Sequence, residues 1–263
     1  MKRKILLTND DGYDSKGLLA LRDALSEIAQ VFIVAPSSEK SACGHGLTLT
    51  KPLRFVKIDD NFFKLDDGTP ADCIYLALNT IYKEALRPDL VISGINLGSN
   101  MGEDITYSGT AAGAMEGVIQ DIPSIAISQV MRDKNLVDTF DFALAKKVIY
   151  EIVKKIFDAS FPLGKRKFLN INVPQINVSE FKGYKIAQKG YRLYGNEAHL
   201  NRNPRGQEYY WLGLHPLAWD ERKTPENRIS DFSAVHQGYV SITPITLDMT
   251  SYEDMDSLEI WLK

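Results

Sequence analysis

The first 35 residues alternate between short apolar runs and one amphipathic segment. Lys4–Thr8 and Val31–Ala35 are apolar runs of strand length, and the second run ends at Pro36. Between these runs, apolar residues recur at spacings of three and four on one face of a predicted helix: Leu18, Leu21, Leu25 and Ile28. This order of strand, helix and strand is typical of a βαβ unit, so we predict a parallel sheet.

The same alternation continues to about residue 175. We predict further strands at Leu90–Ser93, Ser124–Ser128 and Phe168–Val173, and helices at Pro70–Tyr82, from near Thr110, and at Phe140–Phe157. A long loop passes through Gly94, Gly98 and Gly102 after the first of these strands. This part of the chain therefore indicates an α/β fold with a doubly wound, mostly parallel sheet.

The pattern changes after Pro174, where aromatic residues lie among polar residues without helical periodicity. These residues are Tyr184, Tyr191, Tyr194, Tyr209, Tyr210, Trp211 and Trp219. The pattern favours β-hairpins or an extended arm, and aromatics in such an arm serve packing or subunit contacts more often than substrate binding. Tyr239–Thr243, just before Pro244, is a predicted late strand.

Length and composition favour one large domain. The chain has 263 residues and 44% hydrophobic content, which is enough to build a single sizeable core. We therefore interpret residues 1–263 as one α/β domain with a core at about 1–175 and a late strand at about 236–246. An arm and hairpin region occupies about 176–235, and residues 247–263 form a C-terminal tail.

The charge balance and the apolar runs limit the partners we expect. A net charge of -3 and a pI near 5.9 argue against binding of long nucleic acid. The apolar run Ile5–Leu7 is too short for a signal peptide, and no later stretch has the length of a membrane-spanning helix. We expect a cytoplasmic protein with no membrane partner, whose Cys43 and Cys73 are reduced thiols.

Oxygen-bearing side chains follow three of the predicted strands. Asp10 and Asp11 follow the first strand, Ser41 follows the second, and Asn96 follows the strand that ends at Ser93. Ligands of open α/β sheets bind beyond the carboxyl ends of the strands, so we expect these side chains to meet at one edge. Two carboxylates with neutral oxygens form a hard site that suits magnesium or manganese.

An anion site is the second candidate feature. Ser108-Gly109-Thr110 opens a predicted helix that continues with small residues. Backbone N–H groups at such a helix start can approach an anion closely, and the helix dipole favours negative charge there. A cation site and an anion site together would hold a phosphoester from two sides.

Each candidate residue also has a simpler structural explanation. Asp10 and Asp11 could cap the helix that follows them, and Ser108 could cap the later helix. Ser41 could serve turn chemistry, and Asn96 could be a turn residue with left-handed backbone.

Other catalytic patterns are weak or missing. Packing or surface roles are favoured for the four histidines, none of which has a spaced partner: His45, His199, His215 and His236. His45 is the candidate general acid among them. The chain has no GxSxG, HExxH or P-loop pattern, which removes the commonest serine hydrolases, zinc proteases and nucleoside triphosphatases from consideration.

Together these segments resemble the SurE family of stationary-phase survival proteins, which are metal-dependent 5'/3'-nucleotidases. The matching blocks run in order over nearly the whole chain: Ile5–Gly12, Val34–Pro36 with Ser41, Leu47–Leu49, Gly68–Cys73, Ser93–Gly98, Tyr107–Thr110, Met115–Gly117 and Gly238–Pro244. Each block alone is weak, but the ordered set is specific. Two departures question the shape of the second loop and the base preference: Ser37 replaces the common Asp, and Ala42 stands where Gly is usual.

The resemblance implies a Rossmann-like fold whose C-terminal arm forms a homodimer or homotetramer. It implies one divalent metal ion per subunit, Mg²⁺ or Mn²⁺, at the positions that match Asp10, Asp11, Ser41 and Asn96. It also implies phosphate binding at Ser108, Gly109 and Thr110, with Asn96 as a further contact. The implied substrates are nucleoside 5'- and 3'-monophosphates and, for some members, short polyphosphate.

The hypothesis for the mechanism is direct attack of a metal-activated water on phosphorus, without a covalent intermediate. Asp10 and Asn96 bind the metal in this scheme, and Asp11 is the candidate for orienting or deprotonating the water. An aspartyl-phosphate phosphatase is less favoured because its pattern is DxD. A receiver module would need a phosphorylatable Asp where this chain has Asn96. A catalytically silent nucleotide sensor is the other alternative, and turnover assays with and without metal separate it from an enzyme.

Overall fold

The computed structural model describes residues 2–82, 87–131, 141–195, 197–213 and 218–263. Its strands are β1 (Lys4–Thr8), β2 (Gln30–Pro36), β3 (Arg54–Asp59), β4 (Phe62–Asp66), β5 (Leu90–Leu97), β6 (Ser124–Gln129), β7 (Lys167–Val173), β8 (Tyr184–Ile186), β9 (Glu197–Arg202), β10 (Glu208–Gly213) and β11 (Val240–Thr246). Its α-helices are α1 (Lys16–Leu25), α2 (Pro70–Leu76), α3 (Gly109–Ile119), α4 (Ala143–Asp158), α5 (Asp231–His236) and α6 (Met255–Trp261). Within these described ranges, no helix combines the length and apolar character needed to cross a membrane.

Nine of these strands form one sheet in the order β3-β4-β2-β1-β5-β6-β7-β11-β8. The strands from β4 to β7 in this order run parallel to one another. β3 and β11 are antiparallel to their inner neighbours, and β8 runs parallel to β11 at the edge. β9 and β10 form a separate antiparallel hairpin. The predicted α/β class, the mostly parallel sheet and the C-terminal hairpin are therefore confirmed.

The strand order reverses direction at β1. β2 and β4 extend the sheet on one side of β1, whereas β5 and β6 extend it on the other side. The connection that leaves β1 therefore runs to β2 on one side, whereas the connection that leaves β5 runs to β6 on the other side. In open α/β sheets the carboxyl ends of the strands at such a switch point flank a crevice that binds ligands.

Alternate residues of β1 pack into two different cores, because successive side chains of a strand point to opposite faces. Ile5 and Leu7 lie in a core that includes residues of α1 and of α4, such as Ile149. Leu6 lies in a second core with Ile74 of α2. Helices thus cover both faces of the sheet, and the parallel strands are buried, as the doubly wound arrangement requires.

The ends of several predicted elements differ from the structure. β5 continues past its predicted end at Ser93, because pairing with β6 resumes at Asn96 after an irregularity. α1 ends before Ile28, which packs against the core from the following turn. α4 begins at Ala143, and the predicted helix start at Phe140 lies outside the described residues.

Several elements, among them β3, β4, α5 and α6, were not predicted. The stretch between β2 and α2, interpreted only as irregular, contains the antiparallel pair β3 and β4. The turn residues Asp60 and Asn61 between two aromatic-containing runs were a signal for this hairpin. α5 precedes the late strand, which starts at Val240, and α6 lies in the C-terminal tail.

Asp231 at the start of α5 connects the C-terminal part of the chain to the segment that leads into α3. Its side chain is fully buried and accepts three backbone N–H groups. The donors are Gly102 at 2.9 Å, Gly190 at 3.0 Å and Phe232 at 2.9 Å. Gly102 begins a short 3-10 helix that ends just before α3. The Asp231 carboxylate therefore holds the entry to α3 in place.

We expect Asp231→Ala to destabilise the fold by about 3 kcal/mol, because it leaves three buried N–H groups without acceptors. The urea midpoint of unfolding measures this loss. Asp158→Ala, at the exposed end of α4, is the control and should stay within about 0.5 kcal/mol of the parent chain. Equal midpoints for both variants would contradict the anchoring role of Asp231.

Candidate metal and phosphate site

Asp10 and Asp11 lie in the loop between β1 and α1, at the crevice beside β5. The side-chain amide of the buried Asn9 donates to the Ser15 hydroxyl at 2.7 Å. Ser15 itself caps α1, since its hydroxyl accepts the N–H of Leu18. Capping by Asp10 or Asp11, the simpler explanation of these residues, is therefore wrong: a serine caps the helix.

Asp10 is 5% exposed and faces the start of α3. The Thr110 hydroxyl donates to Asp10 Oδ1 at 2.5 Å. A Cβ at Gly109 would lie 2.7 Å from Asp10 Cβ and 2.9 Å from Asp10 Oδ2, so only glycine allows this approach. Burial raises the pKa of Asp10, and the hydrogen bond from Thr110 opposes this effect.

Asp11 is next to Asp10 and also reaches β5. The N–H of Leu97 donates to Asp11 Oδ2 at 3.4 Å. Burial, followed by the negative charge of Asp10, raises the pKa of Asp11 to about 7. Across the described ranges, no ion pair includes either carboxylate. Two neighbouring carboxylates of this kind would be stabilised by a bound cation.

The loop after β2 lies against the two aspartates. The N–H of Lys40 donates to the Asp10 carbonyl at 2.7 Å. The Ser41 side chain is exposed and donates to Glu39 Oε1 at 2.7 Å. The charge of the exposed Glu39 contributes to the raised pKa of both Asp10 and Asp11, so this carboxylate lies near the site. Glu39 was not predicted as a site residue, although its position two residues before Ser41 pointed to the site.

Asn96 lies near the end of β5, where it pairs with Ser128 of β6. Its backbone is not among the left-handed residues of the described chain, so its interpretation as a left-handed turn residue is wrong. The side-chain amide nitrogen donates to the Gly98 carbonyl at 3.0 Å. The next residue, Leu97, is the donor to Asp11, which places Asn96 beside the second carboxylate.

The start of α3 combines a helix cap with close packing. The Ser108 hydroxyl accepts the N–H of Ala111 at 2.9 Å, so the capping explanation is correct for this side chain. A Cβ at Gly113 would lie 2.7 Å from Thr8 Cγ2 and 2.8 Å from Ser93 Oγ. The small residues therefore let α3 lie directly against β1 and β5, with its N-terminal end at Asp10.

The segment after Ser41 contains Ala42, which stands where the resembled family usually has glycine. Ala42 adopts a φ of 57°, in the left-handed region where glycine has no steric cost. The N–H of Gly44 then donates to the Tyr107 carbonyl at 2.9 Å, which ties this loop to the entry of α3. Cys43 is a free thiol, as predicted, and burial raises its pKa.

His45 has a partner that its spacing in the sequence did not reveal. Its Nε2 lies 3.0 Å from Glu116 Oε2, and the two residues are 71 positions apart. Glu116 is buried in α3 and its other oxygen accepts from Gln120 at 3.0 Å. A general-acid role for His45 stays a prediction, and His215 lies outside the described residues.

The residues at this site fit a hard divalent cation. Within the described chain, no three or more His, Cys, Asp and Glu side chains are arranged to hold a metal ion. A cation here would therefore combine the two carboxylates with neutral oxygens such as those of Ser41 and Asn96. Such a set leaves positions for water and for a phosphate oxygen, which is the usual arrangement for Mg²⁺.

Comparisons with known proteins give the family of the chain. The family described as "Survival protein SurE" matches residues 5–196. "5'-nucleotidase SurE" of Helicobacter hepaticus is 70% identical over 262 residues and covers 99% of both chains, and that of Wolinella succinogenes is 66% identical over 100% of both chains. The crystal structure of the SurE protein from Aquifex aeolicus has a TM-score of 0.82 at 43% identity, covering 99% of this chain and 100% of that chain. The chain therefore belongs to the SurE family.

Proposed function

We propose that this chain is a metal-dependent phosphatase that converts nucleoside 5'- and 3'-monophosphates into nucleoside and phosphate. The observation that carries the proposal is the contact between Asp10 and the first turn of α3. Thr110 and Gly109 lie directly against the buried Asp10, next to the partly buried Asp11, and the start of a helix is a position that favours anions. The name 5'-nucleotidase that the Helicobacter and Wolinella relatives carry supports the nucleotide as substrate.

We assign one divalent ion per subunit, Mg²⁺ or Mn²⁺, to Asp10, Asp11, Ser41 and Asn96. Asn96 would use Oδ1, since its amide nitrogen already donates to the Gly98 carbonyl. Ser41 would exchange its contact with Glu39 for the ion. When bound, the ion activates a water molecule and neutralises charge on the phosphoryl group.

Residues of the chain would bind the phosphate and orient the water. The N–H groups of Gly109 and Thr110 at the start of α3 would bind the phosphoryl oxygens, with the N–H of Thr110 exchanging its present contact with Asp10 for the phosphate. Ser108 fixes this turn through its cap. Asn96 is a further phosphate contact. Asp11, which is less buried than Asp10 and accepts the N–H of Leu97, would orient the water or accept its proton.

We expect chelation to abolish phosphate release from nucleoside monophosphates, because the site holds two carboxylates that repel substrate phosphate when no cation is bound. Mn²⁺ or Mg²⁺ should restore turnover. The measurement is phosphate release from purine and pyrimidine 5'- and 3'-monophosphates, with short polyphosphate as a further substrate. Undiminished turnover by the chelated protein would overturn the mechanism.

The same assay decides between an enzyme and its alternatives. A catalytically silent nucleotide sensor would bind nucleotide without releasing phosphate at any metal concentration. A receiver-like module would instead become phosphorylated, and it would not use the close contact between Asp10 and α3.

We infer that the β9–β10 hairpin assembles the chain into a homodimer or homotetramer. An isolated two-stranded hairpin is marginally stable in water, and this one exposes large apolar side chains. The exposed fractions are 63% for Tyr210, 67% for Trp211 and 84% for Leu212.

Changing Trp211→Glu together with Leu212→Glu should reduce the mass measured by light scattering to that of the monomer, since charge is costly in an apolar interface. Ile58→Glu in β3, also at an exposed apolar residue, is the control and should keep the parent mass. An unchanged mass for the hairpin variant would show that other surfaces assemble the chain.

A further inference from the structure

Tyr107 is a large exposed ring at the edge of the proposed phosphate site. It directly precedes Ser108, the cap of α3, and 60% of its surface is exposed. Its ring makes an edge-to-face contact with Tyr194, with centroids 6.5 Å apart and planes at 83°.

Both sides of the Tyr107 backbone are fixed. Its N–H donates to the Asp104 carbonyl at 3.1 Å, and its own carbonyl accepts the N–H of Gly44 at 2.9 Å. The residue therefore connects the 3-10 turn before α3 with the loop that carries Ser41. These two bonds fix its backbone, and the contact with Tyr194 supports its ring.

Tyr194, which supports the ring, is itself held by a charged pair. Its hydroxyl donates to Asp104 Oδ1 at 2.8 Å, and the Arg192 guanidinium lies 5.4 Å from its ring centroid. Arg192 is buried; it also contacts Asp104 and donates to the carbonyls of Leu193 and Ala218. The exposed ring of Tyr107 thus packs against Tyr194, and the buried Arg192 and its partner Asp104 hold Tyr194 in place.

We propose that the ring of Tyr107, supported by Tyr194, is the stacking surface for the nucleobase of the substrate; this rests on the proposed function. Tyr107 is two residues before Gly109 and three before Thr110, and consecutive Cα atoms are about 3.8 Å apart. The backbone of Tyr107 is therefore close to a phosphate held at Gly109 and Thr110. One ribose joins that phosphate to the base. The exposed ring is therefore placed where a base can cover it.

The chemistry of this surface predicts its selectivity. Stacking uses the π-face that every base has, so both purine and pyrimidine nucleotides are accepted. A purine covers more of an aromatic ring than a pyrimidine does, so stacking stabilises a bound purine nucleotide more strongly. A sugar phosphate without a base gains nothing from Tyr107.

Steady-state kinetics of the metal-loaded full chain test the proposal with AMP and ribose 5-phosphate. The quantity is the ratio of kcat/KM for AMP to kcat/KM for ribose 5-phosphate. Tyr107→Ser should lower this ratio about tenfold, mainly through KM for AMP, since stacking of one base on an aromatic ring typically has this effect or more. Tyr107→Phe keeps the ring and should keep the ratio, and Tyr194→Ser should lower it less.

Tyr252→Ser, at a tyrosine of the C-terminal tail with 67% exposure, is the matched control. An unchanged ratio in Tyr107→Ser would overturn the stacking role, and so would an equal loss for both substrates, which indicates damage to the turn at Ser108. A parent chain that hydrolyses both substrates with equal kcat/KM also overturns it while the phosphatase stands. A parent chain that hydrolyses neither removes the proposed function and the subsite with it.

Discussion

Asp10→Asn should reduce phosphate release by roughly 10²- to 10⁴-fold while the chain stays folded. A catalytic metal supplies several kcal/mol of charge stabilisation, and each 1.4 kcal/mol is a factor of ten in rate. The introduced asparagine would keep the size of the side chain and an oxygen that can accept from the Thr110 hydroxyl. It would lose one of the two negative charges that attract the ion.

The stability of the metal-free protein separates this explanation from a structural one. The substitution removes a buried charge and its repulsion of Asp11, so the melting temperature without metal should hold or rise slightly. The stabilisation that Mn²⁺ gives the parent chain should disappear. Near-normal turnover together with near-normal metal affinity would remove Asp10 from the site.

Gly109→Ala should cause the second large loss of activity. Its Cβ would lie 2.7 Å from Asp10 Cβ and 2.9 Å from Cys43 Sγ, so Asp10 or the start of α3 must move. Overpacking of this kind costs about 1–3 kcal/mol. Alanine is the better helix former by about 1 kcal/mol, so any destabilisation comes from the contact and not from the helix. We expect at least a roughly 100-fold lower kcat/KM, since small displacements of catalytic groups have effects of this size.

Gly164→Ala is the matched control, because nothing lies within 4 Å of a Cβ at this exposed glycine. Turnover and urea midpoint of this variant should equal those of the parent chain. If Gly109→Ala behaves like Gly164→Ala in both measurements, the tight approach of α3 to Asp10 has no part in the reaction.

The parallel strands β1, β2, β5, β6 and β7 could be predicted from the sequence because they are largely buried on both faces. Ile5, Leu6 and Leu7 form a continuous apolar run, and each faces one of two helical layers. The β3–β4 hairpin was not predicted, because β3 is a partly exposed edge strand with charged residues. Its pattern resembles a loop until its partner strand is known.

The site could be predicted only in part. Asp10 and Asp11 are adjacent in the chain, and the rule for parallel sheets places both at the crevice. The bond from Thr110 to Asp10 joins residues 100 positions apart, and no spacing reveals it. The role of Ser15 as the cap of α1 was equally hidden, since Asp10, Asp11 and Ser15 are all good capping residues.

Parallel titrations of one protein sample with Mn²⁺ test the central claim most directly. Calorimetry gives the dissociation constant of the ion, and phosphate release from AMP gives the concentration for half-maximal activity. If the ion at Asp10 and Asp11 is the catalytic one, both titrations should give the same midpoint with one ion per chain, and both should vanish in Asp10→Asn. Full turnover before any Mn²⁺ is added, or activation that persists in Asp10→Asn at the parent midpoint, would contradict the account.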